Sequence, residues 1–129
     1  MQRGLTVLLV SGAFAFGAQA FAHHSFAATY LENEEVSVEG ELVQFIYRNP
    51  HSFVQVTVPD PQTKEIVRWA IEWGGNGQLA RAGITAVTLK AGDHVVITGN
   101  PGRNPEDHRI RMRTIVRPKD GWRWSGVVE

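Results

Sequence analysis

The chain contains no cysteine. Disulfides, thiolate catalysis and cysteine-based metal sites are excluded, and an oxidising compartment is allowed without being required. Excess charge of one sign is also missing: 13 Lys and Arg balance 13 Asp and Glu across 129 residues. A neutral chain has no general attraction to nucleic acid or to an anionic membrane. The longest apolar stretch, Leu5–Phe16, is broken by Thr6, Ser11 and Gly12. It falls short of the roughly 20 residues that span a bilayer. There are no internal repeats and no low-complexity tracts. The sequence has no G-x-S-x-G, no P-loop and no G-x-G-x-x-G, so the usual hydrolase and nucleotide-binding signatures are absent.

What is present begins with a three-part N-terminus. Arg3 supplies a positive charge, Leu5–Phe16 an apolar run, and Gly17–Ala22 a small-residue exit with two A-x-A sites, at Ala18–Ala20 and Ala20–Ala22. This is the pattern of a cleavable secretory signal peptide over residues 1–22. Cleavage after Ala22 leaves 107 residues, enough for one domain, with 12 basic and 13 acidic side chains. The expected destination is the periplasm or the exterior. No second apolar span or lipidation cysteine follows.

The mature chain divides into an N-terminal arm (23–35), a β domain (36–117) and a C-terminal tail (118–129). Turn signals recur at Asn49-Pro50, Pro59-Asp60-Pro61, Gly74–Gly77, Ala91–Asp93 and Asn100–Gly102. Between them lie five runs of strand period: Val36–Tyr47, Ser52–Val58, Glu65–Trp73, His94–Gly99 and Arg109–Arg117. In the first, the apolar phase slips near Gly40–Val43, which predicts a bulge in a long coiled strand. In the last, Ile110, Met112 and Val116 are expected inward. One short helix fits at Gln78–Ala82, with Asn76 as N-cap and Gly83 as stop. A long first strand and a helix between the third and fourth strands match an all-β, five-stranded OB-like barrel. The arm and tail would lie outside it, with Phe26, Tyr30, Trp122 and Trp124 packing over its ends.

Pairing Val58 with Glu65 in the second hairpin sets Val56 against Val67 and Val54 against Trp69. The same register sets His51 opposite Glu72 on the outer face, and a slip of two residues would preserve the faces. Cleavage after Ala22 would make His23 the N-terminal residue, able to chelate a metal through its amine and imidazole. A third nitrogen from His24 or His51 would complete a T-shaped set, a geometry that favours copper(II) or nickel(II). Cleavage after Ala20 would instead place His23 third, where an amine, two amides and an imidazole bind copper in a plane. His94 and His108 read as ordinary surface residues. Arg109, Arg111, Arg113 and Arg117 form an outward stripe, read as solvated or carboxylate-paired. The glutamates at 32, 34, 35, 39 and 41 read as solubilising charge.

Several motifs together resemble the domain-of-unknown-function family 6152 of small exported bacterial proteins. They are Ala22-His23-His24-Ser25-Phe26, Gly40, Asn49-Pro50-His51, Trp69-Ala70-Ile71-Glu72 and Leu89-Lys90-Ala91-Gly92-Asp93. The resemblance implies export and a compact β fold, and no known activity. Its characteristic residues fall on His23, His24, Asn49, His51, Trp69 and Glu72.

The sequence thus points first to an exported metal-binding module. His23, His24 and His51 would be ligands, and Glu72 a fourth ligand or an anchor for His51. Copper is the expected metal, with zinc second. The alternative is a metal-free OB-like adaptor for a small molecule or partner protein, bound near Tyr47, Asn49, His51, Phe53, Trp69 and Glu72. A copper oxidoreductase is a third reading, for which the sequence offers no catalytic motif.

Overall fold

The computed structural model describes residues 26–129. Six strands form in chain order: β1 (Val36–Ile46), β2 (Phe53–Pro59), β3 (Ile66–Glu72), β4 (His94–Pro101), β5 (Arg109–Arg117) and β6 (Trp122–Ser125). One helix, α1 (Asn76–Arg81), lies between β3 and β4. The sheet runs β3-β2-β1-β4-β5-β6, and a further parallel pairing of β3 with β5 closes the first five strands into a barrel. This is the expected OB-type order, with β6 added outside the closed ring. No helix among the described residues is long and apolar enough to cross a membrane.

Two irregularities shape the barrel. In β1 the register moves from Leu42 opposite Val56 to Gln44 opposite Gln55, leaving Val43 as the bulged residue where the apolar phase slips. The bend brings strands so close that a Cβ on Gly40 would lie 2.1 Å from the carbonyl oxygen of Thr57. The second irregularity was not anticipated. On β5, Thr114 faces Thr98 and Met112 faces Gly99, so Arg113 is the extra residue. The inward set therefore changes parity from Ile110 and Met112 to Ile115, which is fully buried. Val116, expected inward, is only partly buried.

The inward faces fill the barrel with Leu42, Val54, Val56, Ile71, Val95, Ile97, Ile110, Met112 and Ile115. Trp73, Leu79, Ile84 and Leu89 close one end, and Trp124 meets Trp73 edge-on at 5.3 Å. The helix cap differs from the expected one. Gly75, not Asn76, is the N-cap, and having no side chain it cannot serve the first turn. Asn49 does so from a distance, its Oδ1 accepting the Asn76 amide at 2.8 Å. Asn49-Pro50 can reach because Gly75 leaves room: a Cβ there would lie 2.4 Å from the Pro50 oxygen.

The tail is more ordered than a loose arm. The turn before it has Gly121 at φ +73°, and Arg117 pairs with Trp122 as the chain folds back. β6 lies in the segment expected as a tail, and Asp120-Gly121 followed by alternating Trp122 and Trp124 is a hairpin signal consistent with it. We predict that Gly40→Ala lowers stability by roughly 1–3 kcal/mol through overpacking against Thr57. The expected readout is a lower urea midpoint with an unchanged slope.

Candidate functional site

A carboxylate in the middle of an apolar run requires partners, because an isolated buried charge is costly. Glu72 lies between Ile71 and Trp73 at the end of β3 and is 8% exposed. Three segments supply its partners. The Tyr30 hydroxyl, on the N-terminal arm, donates to Oε2. Arg109, which opens β5, donates Nη2 to the same oxygen at 3.4 Å. His51, in the loop after β1, places Nδ1 2.7 Å from Oε1.

The contact between His51 and Glu72 is thus present, but not through the expected register. Phe53, not His51, stands opposite Glu72, and Val56 faces Trp69. The displacement is two residues, because the strand extends through Pro59, which pairs with Ile66. Faces are preserved by such an even slip. His51 stays beside Glu72 because the next residue is pinned through both of its backbone groups: Ser52 donates its amide to the Gly74 oxygen at 3.1 Å, and Trp73 donates to the Ser52 oxygen at 2.8 Å. The other ring nitrogen of His51, Nε2, is 3.0 Å from the main-chain oxygen of Glu129.

The arm lies over this cluster. Residues 26–29 are helical, and Tyr30 forms an isolated bridge to Gly102. The Phe26 ring packs 5.2 Å from the His51 ring. On Phe26 rests the guanidinium of Arg111, 3.7 Å from the ring centroid. Arg111 is 3% exposed, although its position on β5 reads as outward from sequence. It does face away from the barrel interior, and the arm and tail cover it. It donates to Glu32 Oε1 at 3.2 Å and to the Val128 oxygen at 2.7 Å. Burial pushes its pKa down, as does neighbouring Arg113, while Glu32 opposes them. The remaining stripe is carboxylate-paired or amide-paired: Arg117 binds Asp93 and Asp120, and Arg113 binds Asn100.

The other candidate residues are dispersed. Tyr47 directs its hydroxyl to the oxygens of Asn76 and Ile84, each at 3.3 Å. Asn49 caps α1, and Phe53 lies under the Arg48 guanidinium at 5.3 Å. Trp69 lines a different groove and meets His108 edge-on at 5.2 Å. His94 pairs with Glu39 at 2.8 Å. Among the described residues, no group of three or more His, Asp or Glu side chains is arranged to hold a metal ion. His23 and His24 lie outside the described residues.

These features define a small closed OB-type barrel with a charged cluster buried beneath its N-terminal arm. The chain belongs to the family of unknown function DUF6152, whose sequence model matches residues 10–111. The matched span takes in Tyr30, His51, Glu72, Arg109 and Arg111 and ends before β6. No curated protein matches the chain.

Sequence reasoning paired His51 with Glu72 but left Tyr30, Arg109 and Arg111 outside the site. The available signal was Glu72 itself, a charge inside Trp69–Trp73 that demands donors. The Tyr30 pKa is pushed well above the ordinary phenol value, first by burial and then by the Glu72 carboxylate. The folded state therefore favours the neutral phenol. Its stabilising contribution is complete below about pH 10 and is lost progressively as pH rises above that value. We predict that Tyr30→Phe costs about 1–3 kcal/mol at neutral pH. It should also flatten the fall in stability above about pH 10, measured by urea denaturation across that range.

Proposed function

We propose that the mature chain is an exported metal-binding protein that holds copper, or zinc as second choice, through His23, His24 and His51. The observation that carries this reading is the anchoring of His51. Glu72 engages Nδ1 at 2.7 Å, which leaves Nε2 as the ligating atom. A carboxylate behind an imidazole fixes the ring and raises its basicity as a ligand. Nε2 faces an oxygen of Glu129, which a metal would displace or recruit as a further donor.

The arm supports the reading by its path. Phe26 packs against His51, and His24 precedes Phe26 by two residues. Two residues of chain reach about 7 Å. The proposal brings His23 and His24, which lie outside the described residues, to the anchored imidazole. The charged, apolar and small-residue zones of residues 1–22 support export, and a chain starting at His23 would offer its N-terminal amine as a further ligand.

The test is intact mass and copper titration of the mature protein, with thermal unfolding. We expect a mass beginning at His23 and one bound copper. At about 100 times Kd, copper should stabilise by roughly 2.7 kcal/mol, or about 10 °C or more in Tm. His51→Ala should weaken the copper-dependent rise, and His23→Ala should abolish it. A mature protein whose Tm copper leaves unchanged would contradict the proposal and favour a metal-free adaptor.

A further inference from the structure

A second feature lies away from the His51–Glu72 cluster. β1 pairs with β2 only from Glu41 onward, while Val36–Glu41 pair with β4. β2 meanwhile continues to Pro59 on β3. The two strands part beyond the close contact of Gly40 with Thr57 and leave a groove of about 440 Å³. That volume is within the usual range for small-ligand sites, roughly 300–1,000 Å³.

Its chemistry is asymmetric. Val38, Val58 and Val67 contribute apolar surface, and Trp69 and His108 an aromatic wall. His108 holds φ +46°, an uncommon conformation for a side chain of this kind, at the end of the 3-10 turn Pro105–Asp107. This places its ring edge-on to Trp69, at 77°. The charged lining residues are the acids Glu39 and Asp60, with no Lys or Arg. Even with His108 protonated the lining is net negative.

Asp60 is the steadier charge. Its Oδ1 accepts the amides of Gln62 and Thr63, each at 2.8 Å. Those amides, Thr63 first, hold its carboxyl below the usual range. Glu39 shares its charge with His94. A neighbouring cavity of about 250 Å³ shares Val36 and Trp69 but is lined by Arg109, which disfavours a positive group on that side.

We propose that the groove between β1 and the β2–β3 hairpin binds a small amphipathic organic cation, an apolar or aromatic body carrying one ammonium group. The body packs on the valines and Trp69, and the ammonium lies toward Asp60. Trp is the strongest aromatic partner for a cation, and the carboxylate adds direct attraction. An anion of the same shape meets like charge. The site is independent of any metal at His51.

The test titrates the whole mature protein with three matched probes: phenethylammonium, 2-phenylethanol and 3-phenylpropionate. Binding is followed by Trp fluorescence and by amide shifts in an NMR spectrum. We expect the cation to bind about tenfold tighter than the alcohol, and the anion weakest. Shifts should centre on Val38, Val67 and His108. Asp60→Asn retains the acceptor that the turn uses, and should weaken the cation by roughly 5–10-fold while leaving the alcohol within about twofold. Equal affinity for all three probes, shifts elsewhere, or a cation affinity unmoved by Asp60→Asn would overturn the proposal. So would binding of a lysine-containing extended peptide with no binding of phenethylammonium, which would make the groove a peptide site.

Discussion

The arrangement around the candidate site depends on one carboxylate held out of water. Glu72 closes β3 where that strand meets β5 in parallel, opposite Arg111. A buried carboxylate is stable only when donors replace its hydration. Here the donors are Tyr30, His51 and Arg109, each from a different part of the chain. The arm, the loop after β1 and the start of β5 are therefore held to one point at the barrel seam.

The core and the cluster have different tasks. Buried aliphatic side chains contribute roughly 1.5–3 kcal/mol each, so the valines, leucines and isoleucines inside the barrel hold it together. An ion pair adds far less to net stability, because desolvation offsets most of its attraction. What the cluster supplies is position. Arg111 does this twice over, binding Glu32 and Phe26 of the arm and the Val128 oxygen of the tail. Arg117 plays a related part farther along β5, joining Thr88, Asp93 and Asp120. Arg111 and Arg117 thus fasten segments outside the ring, while Arg109 and Arg113 bind Glu72 and Asn100 on the barrel strands.

Period-two patterns and turn residues were sufficient to locate five strands, a bulge near Gly40–Val43 and the barrel order. Features set by tertiary contact were harder to read. The Arg113 bulge reverses strand phase with no glycine to mark it, so Val116 and Ile115 exchange expected roles. Asn76 has the right side chain for a cap, yet the cap is supplied by Asn49, 27 residues earlier. The hairpin register was displaced by two because Pro59 is compatible with the last pair of an edge-like strand end. At the site, the His51–Glu72 neighbourhood was legible from face parity, which survives an even slip. Tyr30 and Arg111 were not, because an arm that crosses an outer face leaves no periodic trace. β6 was not among the five expected strands, although Asp120-Gly121 and the alternating tryptophans carry a hairpin signal.

The central claim is that Glu72 holds the N-terminal arm on the barrel. Hydrogen exchange tests it directly, because backbone hydrogen bonds join the arm to the barrel in both directions: Leu31 donates to the Pro101 oxygen at 2.9 Å, and Arg103 donates to the Thr29 oxygen at 2.9 Å. In Glu72→Ala these two amides should exchange at least about tenfold faster, while Ile97 and Ile115 in the core keep their protection relative to global unfolding. Unchanged protection of Leu31 and Arg103 in a folded Glu72→Ala protein would contradict the account.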